Sequence, residues 1–239
     1  MLIPDLECVF VHVPKTAGQS IESAFLEFLG ETWLHREPYL LFENTNPEIG
    51  PPRMAHLTSL EYTTLGHVGA NEWERFFKFG FVRNPWTRLV SEYRFRASRI
   101  RSPFREWVLE HFPQPGWSDM WRHVMPQSDY LFDSRGRQMV DFIGRFENLL
   151  EDYGLLQEHL GVALPKLRKV NATNEIGFME RARTQGLAHG IRGALSRRLA
   201  KSRVRRPADW RTYYDNDTNA FVERFYAEDI ERFGYSFDS

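Results

Sequence analysis

Little in this chain can cross-link it, anchor it in a membrane or hold a metal through sulfur. Of its 239 residues a single one is cysteine, Cys8, set inside an apolar run. One thiol closes no disulfide within the chain and supports no cysteine-based metal site, so Cys8 is read as a small buried apolar residue. Long hydrophobic runs are also missing. No stretch reaches the roughly eighteen uncharged apolar residues that a membrane span needs. The opening Met-Leu-Ile-Pro-Asp-Leu-Glu has neither a basic start nor a long apolar segment. These absences predict a soluble, cytoplasmic protein.

Acidic residues vanish from one segment. Between Arg181 and Arg206 nine positions are Lys or Arg and none is Asp or Glu, leaving 22 basic and 32 acidic groups elsewhere in a chain of net charge −1. Such segregation suits an anionic ligand or partner, and equally a solvated basic loop. The stretch 177–209 has no clean helical stripe and reads as a basic excursion from a single domain spanning 1–239.

What remains is globular in composition: 42% hydrophobic, 26% charged and 15% aromatic residues. Strand-like and helix-like segments alternate, which predicts an α/β fold with a parallel central sheet flanked by helices. Glu7 to Val13 is a β-branched apolar strand ended by Pro14. Ile21, Ala24, Phe25, Phe28 and Leu29 then recur at helical spacing before Gly30. Phe76 to Val82 is a second buried strand, followed by Arg83-Asn84-Pro85 and a helix bearing Trp86, Leu89, Val90 and Tyr93. Met139 to Phe146 predicts a third, leading to a helix with Leu149, Tyr153, Leu156 and Leu160. Asp215 or Asp217 caps a final helix carrying Phe221, Phe225 and Ile230. Loops and short helices are expected between Gly30 and Arg75 and between Arg101 and Arg137.

Two strand-to-helix junctions carry chemistry. The loop Pro14-Lys15-Thr16-Ala17-Gly18-Gln19-Ser20 opens a helix whose first N–H groups lack partners and whose dipole favours an anion. Lys15 adds a full charge, Thr16 and Ser20 add hydroxyls, and Gly18 is expected to let backbone approach the ligand. The Walker spacing is absent, because the lysine precedes the glycine and no glycine stands five residues before it. At the second junction Arg83 is placed for a forked pair with a phosphate. Ser91, two helical turns on, adds a hydroxyl if the ligand lies along that helix. Arg88 reads as a surface partner of Glu92 at i,i+4.

Taken together, the two segments resemble the PAPS-dependent sulfotransferases (PAPS is 3′-phosphoadenosine-5′-phosphosulfate). The likeness is to the branch of carbohydrate sulfotransferases that includes the heparan-sulfate 2-O enzymes. It implies a fold related to the P-loop nucleotide kinases. By the same resemblance, Lys15, Thr16, Ala17, Gly18, Gln19 and Ser20 hold the 5′-phosphosulfate, and Arg83 with Ser91 holds the 3′-phosphate. Arg145-Phe146-Glu147-Asn148-Leu149 and the Tyr213-to-Tyr235 ending extend the likeness over nearly the whole chain. Transfer to an acceptor hydroxyl, of a glycan or glycolipid, would yield 3′,5′-ADP with no metal required. Lys15 would meet the charge that grows on the leaving oxygen, and a histidine would take the acceptor's proton.

His67, in Leu65-Gly66-His67-Val68-Gly69, is similar to the Gly-His-Val element that carries the base in the heparan-sulfate enzyme. His56 is the second candidate and Glu61 the third, while His12 is expected to pack or orient the loop. Arg203, Arg205 and Arg206 are candidates for a lid or an acidic-glycan contact. Two other readings compete: a P-loop kinase-like phosphotransferase, and a non-catalytic nucleic-acid or anion binder using residues 181–206. No nucleic-acid partner is expected on the sulfotransferase reading.

Overall fold

A computed structural model describes residues 1–168 and 209–238. Its sheet has four strands in the order β1 (Leu2–Ile3), β2 (Cys8–Val11), β3 (Phe77–Val82) and β4 (Phe142–Arg145). β2, β3 and β4 are parallel, with Phe10 opposite Phe79 and Gly80 opposite Ile143. β1 is antiparallel to β2 and was not expected; two residues are too few to show a period. β2 is shorter than its apolar run because the Val13 amide turns back to the Val11 carbonyl, at 3.1 Å, just before Pro14.

Alternation along β2 sends Val9 and Val11 to one face of the sheet and Cys8 and Phe10 to the other. The second face packs against α1 (Gly18–Phe28) and α8 (Leu149–Leu160) through Ile21, Phe25, Tyr153 and Leu156. The first face is covered by α4 (Pro85–Phe95), by α9 (Asn216–Phe225) and α10 (Ala227–Phe233), and by shorter helices. This is the expected α/β architecture with helices on both sides of a mostly parallel sheet.

The segment Gly30–Arg75 supplies α2 (Ser59–Thr64) and α3 (Ala70–Arg75). Arg101–Arg137 supplies α5 (Phe104–Leu109), α6 (Asp119–Val124) and α7 (Ser128–Leu131). Asp215 is the residue that caps α9, accepting from the Thr218 amide. The single final helix expected from the apolar stripe is broken at Tyr226, which has φ −105° and ψ 26°. The Tyr226 hydroxyl is drawn to the buried Val124 carbonyl, at 2.6 Å. Buried Asp229 on α10 accepts from the Gln127 and Ser128 amides. The basic excursion, with Arg203, Arg205 and Arg206, lies outside the described residues apart from Asp209. No helix among the described residues is long and apolar enough to cross a membrane.

Candidate active site

The first two parallel strands end side by side, and each delivers one motif. After β2 the chain passes through Lys15 (φ 73°) and Ala17 (φ 74°), both left-handed and neither glycine. Such positions cost energy and persist where surrounding structure enforces them. Left-handed residues set among right-handed ones curl backbone N–H groups into an anion-holding concavity. Thr16, fully buried, donates its hydroxyl to the Val13 carbonyl at 2.7 Å, so its side chain braces the loop. α1 starts at Gly18 with Ala17 as its cap, and no side chain bonds its first amides.

Gly18 has a different task from the one expected. Its φ is not positive, and a Cβ there would overlap the His12 imidazole. The missing side chain makes room for His12, whose Nδ1 donates to Glu22 Oε1 at 2.6 Å. His12 thus ties β2 to α1 beneath the loop, which is the packing role its place in the strand suggested.

Arg83 joins the two motifs. Its Nη1 donates to the Lys15 carbonyl at 3.3 Å, its Nε to Thr87 Oγ1 at 2.9 Å, and its guanidinium lies 4.0 Å from the Phe146 ring centroid. Gln127 clamps the Arg83 backbone at both N–H and C=O. Asn84 caps α4, accepting from the Trp86 and Thr87 amides, while its own amide donates to Glu147. The Phe146-Glu147 segment therefore supports the Arg83 turn directly. Burial pulls the Arg83 guanidinium down to about 10, against the pull of Glu147. Ser91 sits half-buried further along α4, and among the described residues no hydrogen bond ties it to Lys15 or Arg83.

Arg88 is not the surface partner of Glu92. It is 2% exposed and donates to three carbonyls, those of Pro14, Met125 and His123, at 3.0–3.1 Å. The i,i+4 spacing pointed to the wrong partner because α4 buries this face. Glu92 pairs instead with Arg96 and with His123 Nδ1.

Behind Lys15 lies a cluster assembled from distant segments. The Lys15 ammonium is 3.9 Å from the centroid of Phe95, which stacks on His123. His123 meets His56 edge-on at 4.8 Å, and His56 meets His12 at 5.0 Å. Each histidine faces a carboxylate: His12 faces Glu22, His123 faces Glu92, and His56 faces Asp119. The His56–Asp119 approach, Nδ1 to Oδ1, is 3.6 Å, longer than a hydrogen bond. Asp119 Oδ2 accepts from Arg96 at 2.9 Å.

The electrostatics follow from this burial. Burial lowers the Lys15 ammonium to about 8, with Glu92 opposing and Arg83, Arg96 and Arg88 adding to the fall. Burial likewise pushes His56 well below its usual value and lowers His123, against Asp119 and Glu92 respectively. Glu92 resists its own burial and is held at about 2 by His123, Arg96 and Lys15.

The remaining candidates stand apart. His67 is half-buried, and its Nε2 bonds the Ile49 carbonyl at 2.6 Å. It is not part of the contact chain from Lys15 to His12. Glu61 is committed to the capping box of α2 and to Arg122. Burial raises its carboxyl, but Arg122 and the Thr58 amide hold it below the usual range. Asp119, His123 and Phe95 were not singled out from the sequence, and Glu92 only as a surface partner of Arg88.

Over residues 1–236 the chain matches the sulfotransferase family. It belongs to that family. The sulfotransferase is also similar to an uncharacterized protein of Archaeoglobus fulgidus, 29% identical over 103 residues, which covers 40% of this chain and 76% of the relative. No solved structure matches it. Family membership makes sulfuryl transfer the general activity and implies an acceptor substrate.

Proposed function

We propose that this sulfotransferase takes its sulfuryl group from PAPS and delivers it to a hydroxyl, releasing 3′,5′-ADP. The observation that carries the reading is the bond from Arg83 to the Lys15 carbonyl. It brings the two strand-to-helix junctions together, each bearing a cationic side chain, which supports a ligand with two phosphate groups. Lys15, Thr16, Ala17, Gly18, Gln19 and Ser20 form the 5′ side, where the N-terminus of α1 receives the phosphosulfate. Arg83 forms the 3′ side, with Ser91 further along α4. Lys15 meets the negative charge growing on the leaving oxygen, since transfer of this type relies on positioning and charge stabilisation. A carbohydrate or glycolipid hydroxyl is the proposed acceptor, following the resemblance of the two motifs to the carbohydrate sulfotransferases.

For the acceptor's proton the geometry favours His56 over His67. His56 stands in the ring contacts that lead to Lys15, and Asp119 faces its Nδ1. A carboxylate behind one imidazole nitrogen leaves the other to accept a proton, the arrangement of a general base. His67 has a carbonyl partner and no such link to the loop. Turnover of radiolabelled PAPS with an acceptor extract tests both halves. His56→Ala is expected to lose turnover while His67→Ala keeps it, both still binding 3′,5′-ADP. The reverse pattern returns the base to His67, and wild-type protein that transfers no sulfuryl group from PAPS removes the donor.

A further inference from the structure

Three buried polar atoms converge in the cluster behind Lys15 without a hydrogen-bond partner among the described residues. They are His56 Nδ1, His123 Nε2 and Asp119 Oδ1. Unpaired buried polar atoms are rare in folded proteins, because each gives up its hydrogen bonds to water for nothing in return. Here the three come from two segments: the turn before α2 supplies His56, and α6 supplies Asp119 and His123 one helical turn apart. All three atoms lie within 4.8 Å of one another, and both imidazole nitrogens are 3.6 Å from the Asp119 oxygen. Four-coordinate zinc, with bonds of about 2.0–2.2 Å, separates its ligand atoms by roughly 3.4 Å. The two nitrogen–oxygen separations need a few tenths of an ångström of closing, and the nitrogen–nitrogen separation, within 4.8 Å, needs at most about 1.4 Å.

The surrounding contacts suit an ion as well. His123 donates from Nδ1 to Glu92 Oε2 at 2.7 Å, which fixes the tautomer and turns a bare Nε2 lone pair inward. A carboxylate behind a ligating histidine is the usual support of such sites. Arg96 holds the other Asp119 oxygen, leaving Oδ1 for the centre. Arg53 Nε comes to 3.5 Å of Oδ1 without a hydrogen bond, from a side chain that is 39% exposed and has solvent to swing into. Two imidazoles and one carboxylate select zinc, cobalt or nickel over calcium or magnesium, which favour oxygen alone.

We propose that His56 Nδ1, His123 Nε2 and Asp119 Oδ1 bind one divalent transition-metal ion of the zinc type, and that the bound ion switches sulfuryl transfer off. The second part rests on His56 being the base. An ion on Nδ1 leaves the single imidazole hydrogen on Nε2, and a nitrogen already carrying hydrogen accepts no proton from an acceptor hydroxyl. Lys15 and Arg83 take no part in the coordination, so donor binding survives the ion.

Full-length, chelator-treated protein is titrated with zinc chloride by calorimetry and with cobalt chloride by visible absorption, and its PAPS turnover is followed across the same zinc series. One zinc per chain is expected, together with visible cobalt bands of the kind a tetrahedral site gives. Turnover should fall about tenfold or more at saturation, with the midpoint of binding. The chelator should restore it. His123→Gln should lose the cobalt bands and zinc binding while still binding 3′,5′-ADP, which shows that it has folded. Glu92→Gln should weaken zinc by about 10–100-fold. Absence of cobalt bands in the wild-type protein overturns the site without recourse to any variant, as does unchanged zinc affinity in a folded His123→Gln. Full turnover at zinc saturation overturns the switch. Failure of metal-free protein to bind 3′,5′-ADP would instead strike the donor reading and leave the coordination result standing.

Discussion

Lys15 and His123 both pack on the Phe95 ring, yet the two regions that meet there are built in opposite ways. On the Lys15 side positive charge is left uncompensated. Among the described residues neither Lys15 nor Arg83 has a carboxylate within ion-pair distance, and buried Arg88 spends its donors on backbone carbonyls. On the His123 side every histidine faces an acid. On the proposed function the first region attracts the anion that arrives with the donor. The second balances its own charges and is suited to holding and moving a proton. The proposed transfer uses both, and the Phe95 ring packs against Lys15 and His123 where they meet.

Substitutions on the two sides should therefore fail differently. The largest effect is expected from His56→Ala, about 10²–10⁴-fold in kcat, the usual scale for a general base. Calorimetry should find its affinity for 3′,5′-ADP unchanged. Lys15→Ala should lose about 10²–10³-fold in turnover, the scale of a removed charge-stabilising donor, and should weaken 3′,5′-ADP as well. If both variants lose kcat alone, the division of labour between the two regions is wrong.

Arg88→Ala tests the framework under both. Three buried carbonyls would lose their donor, at a cost of about 3 kcal/mol or more. Thermal unfolding should shift down by roughly 10 °C; a shift under about 2 °C would return Arg88 to the surface role that its spacing suggested. Gly18→Ala drives a methyl into the His12 ring, and a loss of about 1–3 kcal/mol is expected from that overpacking. Pairing it with His12→Ala should recover most of the loss if the overlap is the cause.

The smallest effect is a pH dependence. Burial sets the Lys15 ammonium near 8, so its charge is present below that pH and fades above it. A bound 5′-phosphate favours the charged form. The affinity for 3′,5′-ADP should therefore be level below about pH 7 and fall by at most about tenfold per pH unit above about pH 8. Affinity that rises with pH would deny Lys15 its place in the pocket.

Contiguous features were legible before the structure was known. The apolar run Glu7–Val13, the helical stripe before Gly30 and a cap at Asp215 or Asp217 depend on neighbouring residues; the strand occupies Cys8–Val11, the helix Gly18–Phe28, and the cap is Asp215. Lys15 and Arg83 were conspicuous because each stands at the end of a strand. Arg88 misled because a spacing of four reports a shared helix face, not whether that face is buried. Gly18 misled because its neighbour in space, His12, precedes it by a tight loop that local pattern does not resolve. The histidine cluster was invisible for a stronger reason. Asp119 and His123 share α6, but His12, His56 and Glu92 come from three other segments, and the fold brings all four segments together.

In the proposed function two cationic side chains, Lys15 and Arg83, serve two separate phosphates. Titrating the protein by calorimetry with 3′,5′-ADP, and separately with Mg-ATP, examines this most directly. The account predicts saturable binding of 3′,5′-ADP that weakens in Arg83→Ala, and markedly weaker binding of Mg-ATP. Tight binding of Mg-ATP with none of 3′,5′-ADP would contradict it.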